Sequence, residues 1–384
     1  METNPFGIGE HVTVEYFTDR ETEVAQIRTA ILNPSSLLVY GPRRMGKSSA
    51  IRAAAEAARA SRPKPIVIGA DLSTATSLFD LSARLLRSLY VETRSLRIRL
   101  EELLGGLAPR VTVTFDETSG APSISFGVER RTATDEEKRR ALESVVGRLA
   151  ELRARTSRPV AVVLDEFQAI QSLGGETGEW HLRDLIQRHG DLSFICAGSQ
   201  ESLINEMIGP KRAFYKMFEV VHLGPLEEPH FAAWIDRRLR LGVRIDGEIG
   251  LEVVHLAGPR TQDVVQVARQ LYFRGRTSEK PIRPSDVMHA MDDVVRGEDP
   301  LIRSLWNEIS AQQQDVLRVL ALGIEQIFSS EARDRYGLPG PSSVHKAVET
   351  LISRGLLVSD GKQISFDSPF VRRWVRREVA PDLG

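Results

Sequence analysis

Cysteine is nearly missing from this chain: Cys196 stands alone in 384 residues, so an internal disulfide is excluded. It lies in the apolar run SFICAG and reads as a small buried hydrophobe. The eight histidines are scattered, with no H-E-x-x-H pattern and no cysteine partner, which argues against a zinc site. No G-x-S-x-G elbow appears, and nothing repeats at a spacing of roughly 20 to 50 residues, so neither a serine-hydrolase elbow nor a solenoid is expected. Apolar runs fall short of the roughly 20 residues a membrane span needs. The N-terminal METNPFGIGEHVTVEYF lacks a charged-then-apolar signal pattern, so a cytoplasmic location is expected. An excess of charge is absent too: 51 Lys plus Arg against 52 Asp plus Glu leaves a formal charge of −1. Any basic surface for nucleic acid must therefore be local.

What is present is ordinary in bulk and specific in one place. With 41% hydrophobic and 27% charged residues, the chain has room for two or three domains, each with its own core. The stretch Leu37 to Ser49, LLVYGPRRMGKSS, organises the rest. Four strand-forming residues run into Gly41-Pro42-Arg43-Arg44-Met45-Gly46-Lys47-Ser48, and an alanine-rich helical run from Ser49 to Ala60 follows. This is G-x-x-x-x-G-K-[ST] between a strand and a helix, the setting a phosphate loop requires. The glycines let the backbone curl so that successive N–H groups and a helix N-terminus face an anion. Residues Gly41 to Ser49 would cradle the phosphates of ATP, with Lys47 reaching the β- and γ-phosphates and the Ser48 hydroxyl on Mg²⁺.

Upstream, residues 1 to 14 read as a loosely held arm, and YFTDRETEVAQIRTAIL from Tyr16 reads as a helix capped by Thr18 or Asp19. Downstream, IVIGAD (Ile66 to Asp71) is a second buried strand, and Ser77 to Tyr90 a helix with a leucine face. The segment from about 91 to 140 is unusual for its alternation. Val111, Val113 and Phe115, then Ile124, Phe126 and Val128, share one face around a Gly/Pro turn, which predicts a β-hairpin over about 108–131. Arginines 94, 97, 99, 110, 130 and 131 surround it, leaving open a solvated insertion or an element that touches a partner or DNA.

After a helix from Asp135 to Arg155, the run Pro159 to Leu164 is apolar throughout, as a strand covered on both faces must be, and ends in Asp165-Glu166. At this distance from a phosphate loop the pattern is that of Walker B: Asp165 holds the Mg²⁺ shell and Glu166 polarises the attacking water. Trp180 to His189 is helical, and a fourth strand, Leu192 to Ala197, ends at Gly198-Ser199-Gln200, which makes Ser199 a candidate to touch the γ-phosphate or the water. Before a fifth strand, Glu219 to Leu223, lie Arg212 and Lys216, cations that suit an arginine-finger role toward a neighbouring subunit or a solvated rim equally well.

From Pro225 the pattern turns helical, at roughly 229–241, 247–257, 261–274 and 284–297, the size of a lid. Its second turn reads Ala257-Gly258-Pro259-Arg260-Thr261, a fixed turn carrying an arginine that can sense phosphate. Beyond about Pro300, three helices and the alternating LLVSDGKQISFD predict a winged helix-turn-helix, its third helix capped by Ser342 or Ser343. Ser343, His345, Lys346 and Arg354 are the candidate contacts to double-stranded DNA. Yet residues 301 to 384 carry 11 Lys plus Arg against 10 Asp plus Glu, a balance that leaves protein docking open beside DNA binding.

With YFTDRETEV, GPRRMGKSS, VVLDEFQAI, FICAGSQ, AGPRTQDV and the winged-helix pattern in place, the chain resembles prokaryotic AAA+/STAND P-loop ATPases, close to the archaeal ATPase and origin-recognition types. The resemblance implies an α/β P-loop NTPase core with a parallel five-stranded sheet over residues 1–225, a helical lid over 226–298 and a winged helix over 299–384. It implies that the Phe17-Thr18-Asp19-Arg20-Glu21 segment packs near the adenine, with Arg20 toward the cofactor. It further implies that Arg260 is a sensor-2 arginine and that Ser199 stands at sensor 1, where many relatives have Asn or Thr. Relatives often carry Gly-Arg before the fifth strand; here the stretch is Tyr215-Lys216-Met217, with Arg212 the nearest arginine. The expected activity is ATP hydrolysis with Mg²⁺ in a nucleotide-driven switch acting on DNA or a DNA-bound complex, as a homo-oligomer or with a protein partner. The alternative is a slowly turning signalling or defence scaffold whose winged helix binds protein.

Overall fold

The structure is a computed structural model that describes residues 4–7, 19–94, 111–115, 122–126, 133–359 and 363–379. It separates into two compact units, Thr13–Gly224 and Met1–Val12 together with Pro225–Gly384.

In the first unit, five parallel strands form one sheet: β1 (Ser36–Tyr40), β2 (Ile66–Asp71), β5 (Val160–Asp165), β6 (Ser193–Gly198) and β7 (Glu219–His222). Their order is β2-β5-β6-β1-β7. Because β6 lies between β1 and β5, the C-terminal ends of these three strands sit side by side, where open α/β sheets bind ligands. The apolar character of the strands has its reason in coverage from both sides. On one face, Ile27 and Ile31 of α1 (Glu21–Leu32) and Ala50, Ala54 and Ala58 of α2 (Lys47–Arg59) meet Val39, Ile195 and Ala197. The alanines of α2 keep that helix close to the sheet. On the other face, α3 (Leu78–Arg94), α4 (Asp135–Thr156) and α5 (Ile170–Arg188) bring Leu85, Val145, Leu149 and Leu185 onto Ile68, Val162 and Phe194. Each such side chain contributes about 1.5–3 kcal/mol on full burial.

The expected hairpin is present as antiparallel β3 (Val111–Phe115) and β4 (Pro122–Phe126), with Val111 opposite Phe126 and Val113 opposite Ile124. Val128 and the arginines 97, 99, 110, 130 and 131 lie outside the described residues.

Helix starts are where the structure corrects the sequence reading. The first helix begins at Glu21, one residue past the start that an Asp19 cap would give, because Asp19 and Arg20 are both left-handed (φ 51° and 113°), a conformation no helix propagates. Glu21 and Glu23 stand in its first turn, and the N-cap position is Arg20, not Asp19, without a side-chain cap; Thr18 lies outside the described residues. By contrast α4 starts in a full capping box, with the Glu137 N–H donating to Thr134 Oγ1 at 3.2 Å and the Thr134 N–H to Glu137 Oε2 at 2.8 Å. Helix α5 starts ten residues before the expected Trp180 and carries a kink at Gly175 (φ 57°, ψ −156°). A short helix, α6 (Glu201–Met207), follows β6.

The second unit contains α7 (Glu228–Leu239), α8 (Gly250–Ala257), α9 (Thr261–Arg276) and α10 (Ser285–Asn307), then α11 (Ala311–Ala321), α12 (Ser330–Tyr336), α13 (Pro341–Ser353), the antiparallel pair β8 (Leu357–Ser359) and β9 (Ile364–Phe366), and α14 (Pro369–Glu378). The sheet and these helices make the fold an α/β P-loop type followed by a helical region and a winged helix-turn-helix. Helix α10 spans residues 298 and 299 and runs on through Pro300 to Asn307. Phe370 and Trp374 of α14 join the same core as Val253, Leu271, Val287 and Val294, and the Trp374 indole N–H donates to Asp299 at 2.6 Å. The last helix thus packs into the core of the lid helices, while α11, α13 and the wing keep a core of their own around Val316, Leu320, Val344, Leu351 and Leu357.

Nor is the N-terminal arm loose where it is described. Phe6 is fully buried, edge-on to Trp234 at 5.6 Å and Tyr272 at 6.5 Å, and its carbonyl accepts from the Arg269 guanidinium at 3.1 Å. A single buried aromatic converts an arm into part of the core. Helix α13 starts from Gly340 with Pro341 at its first turn and no side-chain cap, so neither Ser342 nor Ser343 serves as the cap. The Asp360-Gly361 turn of the wing lies outside the described residues.

Candidate functional site

The loop after β1 shows why its glycines are required. Gly41 has φ 151°, and a Cβ there would lie 2.2 Å from the Leu223 carbonyl oxygen, since the chain leaving β7 bonds back to Tyr40 at 2.8 Å. Gly46 precedes α2 in a left-handed conformation (φ 86°) with open space around it, so its requirement is conformational. Between them Pro42 is half-buried, Arg43 and Arg44 are exposed and Met45 is buried, anchoring the loop in the core. Lys47 is 7% exposed, and its ammonium donates to the carbonyls of Gly41 and Pro42 at 2.8 and 2.7 Å. It folds over its own loop.

Two residues 117 positions apart meet next. The exposed Ser48 hydroxyl donates to Asp165 Oδ2 at 2.8 Å, while Asp165 Oδ1 accepts the Glu166 N–H at 2.9 Å. Burial pushes the Asp165 carboxyl above its usual range, against the opposing pull of those two hydrogen bonds. An oxygen pair of this kind fits Mg²⁺, which takes one or two protein oxygens beside substrate phosphates and does not need a protein cage. Among the described residues no group of three or more His, Cys, Asp or Glu could form such a cage.

Glu166 stands left-handed (φ 49°, ψ 47°) before the short helix Phe167–Ala169. Phe167 is fully buried and edge-on to Phe214 at 4.9 Å and Phe218 at 5.7 Å, which fixes the turn from below. The Glu166 carboxylate accepts the Ser199 hydroxyl at 2.7 Å and the Gln168 amide at 2.5 Å, both on Oε2. Ser199, at the end of β6, is therefore brought to the acid, and Ser49 lies half-buried in the first turn of α2. Gln168 was not foreseen; its only signal is a polar residue within the otherwise apolar FQAI that follows the acids.

Other expected residues have partners of their own. The Arg20 guanidinium is buried and donates to Glu23 and to the Gly224 carbonyl, tying the start of α1 to the end of the sheet segment. Phe17 and Thr18 lie outside the described residues. Arg212 is committed within its own chain, at 3.0 and 3.1 Å to the fully buried Glu179 and at 3.0 Å to Glu206, whereas Lys216 is exposed and lies over the Tyr215 ring. In the second unit Arg260, before α9, is 7% exposed and clasped by both carboxylate oxygens of Asp367, just past β9. Along α13, His345 and Lys346 are exposed, His345 stacking on Phe328 at 4.1 Å; Ser343 is half-buried, and the exposed Arg354 donates to the Glu308 carbonyl at 3.4 Å.

Residues 16–195 match a family described as "AAA ATPase domain", and residues 301–377 match one described as "Probable winged helix domain". No curated protein sequence matches the chain. Among solved structures, the chain is similar to the Walker-type ATPase paby2304 of Pyrococcus abyssi, with a TM-score of 0.68 at 19% identity over 97% of this chain and 99% of that one. It is also similar to the ORC2 protein of Aeropyrum pernix in its ADPNP-ADP complexes (TM-score 0.57, 14% identity, 94% and 93% covered). A third likeness is to the ORC1 protein of Aeropyrum pernix in complex with DNA (TM-score 0.51, 15% identity, 95% of each chain covered). At such identities the likeness concerns the fold. Among the described residues, no helix is long and apolar enough to cross a membrane. The chain carries an AAA ATPase domain followed by a C-terminal winged helix domain.

Proposed function

We propose that the chain binds ATP with Mg²⁺, hydrolyses it, and acts as a nucleotide-driven switch on DNA or a DNA-bound complex. The observation that carries this reading is the convergence of Lys47, Ser48, Asp165, Glu166 and Ser199 at three adjacent strand ends. Each residue has a task set by its chemistry. The loop N–H groups and the start of α2 bind phosphate oxygens, and Lys47 exchanges two carbonyls for the β- and γ-phosphates. Ser48 and Asp165 hold Mg²⁺, whose charge offsets that developing on the phosphoryl oxygens. Glu166 orients the attacking water and takes its proton. Arg260 is assigned the role of a γ-phosphate sensor, with Asp367 holding its guanidinium in the ligand-free chain. The DNA half of the proposal draws on the exposed His345 and Lys346 of α13 and on a DNA complex of one similar fold.

The near-neutral charge of residues 301–384 favours a second reading, a slow nucleotide switch whose winged helix docks on protein. Steady-state ATP turnover, with and without duplex DNA, beside Lys47→Ala and Glu166→Gln, separates the two. Stimulation by DNA, with loss of about 100-fold or more in both variants, supports the first. Tight ATP binding with negligible turnover in every condition moves the assignment to the second.

A further inference from the structure

Gln168 is a costly residue for its position. It is 6% exposed, its Nε2 lies 2.5 Å from Glu166 Oε2, and its Oε1 is buried with no hydrogen-bond partner among the described residues. A methionine or leucine would fill the same space without stranding an oxygen, so packing alone does not account for the amide. The orientation follows from chemistry: reversing the amide would set its oxygen against a carboxylate, leaving two acceptors face to face. The surroundings also make room for it. A Cβ on Gly198, the residue before Ser199, would come within 3.0 Å of Gln168 Oε1 and 2.5 Å of Ile204 Cδ1.

We propose that Gln168 is a positioning residue for hydrolysis: its amide N–H and the Ser199 hydroxyl together fix Glu166 Oε2, which leaves Oε1 as the oxygen that takes the proton of the attacking water. The inference rests on the ATPase reading above. In the step itself, a water oxygen forms the bond to the γ-phosphorus, and the bond from that phosphorus to the bridging oxygen breaks with its electron pair leaving on ADP. One water proton passes to Glu166 Oε1. A carboxylate free to rotate about its last torsion would present either oxygen, at varying angles; two donors on one oxygen remove that freedom. Glu166 itself sits in a left-handed conformation, so its backbone is fixed as well and the side-chain torsions are what remain to be set.

The test uses the full-length protein with Gln168→Met, which keeps volume and removes the donor, and Gln168→Glu. For Q168M, kcat should fall about tenfold while KM and the affinity for a non-hydrolysable ATP analogue stay within about twofold, the pattern of an interaction that matters in the transition state only. Added to Glu166→Gln, Q168M should slow turnover no further, since it acts through the acid. In Q168E the side chain donates only when protonated, so its turnover relative to wild type should climb as pH falls, while that of Q168M stays level. If kcat and affinity fall together, or neither moves, Gln168 is a packing residue and the proposal is overturned. The two readings fail differently: absence of wild-type turnover removes both, whereas wild-type turnover that Q168M leaves unchanged removes only this one.

Discussion

Two helices in this chain begin at a candidate binding surface, and they are built in opposite ways. Helix α2 starts from the left-handed Gly46, with Lys47 buried on two carbonyls and Ser48 bonded to Asp165. Helix α13 starts from Gly340-Pro341 with no side-chain cap, and Ser342, His345 and Lys346 are exposed on its first two turns. The first surface is assembled before any ligand arrives, each polar group already held near its working place. The second offers groups to whatever approaches. Preorganisation of the first kind favours chemistry, where small displacements cost large factors. Open presentation suits recognition of an extended partner, whose own shape sets the geometry.

The sharpest way to break the first half of this contrast is Gly41→Ala. Its Cβ would collide with the Leu223 carbonyl, which is backbone and cannot rotate away, so the loop or the β7 end must move. A loss of about 1–3 kcal/mol in stability is expected, together with loss of ATP binding, read by thermal melting and by titration with a fluorescent ATP analogue. Retention of both would show that the loop is adaptable after all. For the second half, Lys346→Ala and Arg354→Ala should weaken duplex binding uniformly across sequences, each lowering the slope of log affinity against log salt by about one. Because Arg354 also bonds the Glu308 carbonyl, the effect should be cleaner for Lys346. An unchanged salt slope in both variants would mean that α13 does not meet phosphates.

The smallest effect is also the most diagnostic of preorganisation. The Asp165 carboxyl is raised above its ordinary value by burial, so its charged form is disfavoured in the folded chain. The linkage has a definite sign: a raised carboxyl detracts from stability above its folded pKa, and that penalty fades as pH falls through it. Asp165→Asn should therefore raise the melting temperature of the ligand-free protein at neutral pH, with the gain shrinking toward acid, and should abolish Mg²⁺-dependent ATP binding. A fall in melting temperature at neutral pH would indicate that the Ser48 bond outweighs the burial penalty.

The same contrast explains which parts could be read from residues alone. Gly41, Gly46, Lys47, Ser48, Asp165 and Glu166 are legible because their chemistry imposes fixed residue types at short spacings within one strand–loop–helix or at one strand end. The five apolar strands are legible for a similar reason, since cover on both faces dictates their composition. Gln168 was not, because a buried amide leaves no spacing rule. The tie of Arg260 to Asp367 spans 107 residues, and that of Arg212 to Glu179 spans 33, so neither pairing is visible in local pattern. The N-cap falls at Arg20 although Asp19 has better capping chemistry, and the left-handed backbone at Asp19 and Arg20 leaves no mark in the local pattern. That α10 continues through Pro300 is not visible in local pattern either, since a proline usually ends or kinks a helix; here the Trp374 indole bonds to Asp299 beside it.

Phe6 has a consequence for how the chain comes into being. The residues that cover it, Trp234 and Tyr272, and the arginine that binds its carbonyl, Arg269, are made more than 200 residues later. During synthesis the first segment must wait, while residues 13–224 already hold everything needed to close their own sheet and core. Domains fold as they emerge, in the order of synthesis. The sheet unit of residues 13–224 can therefore close before the unit that joins residues 1–12 to residues 225–384, and before the winged helix has been made.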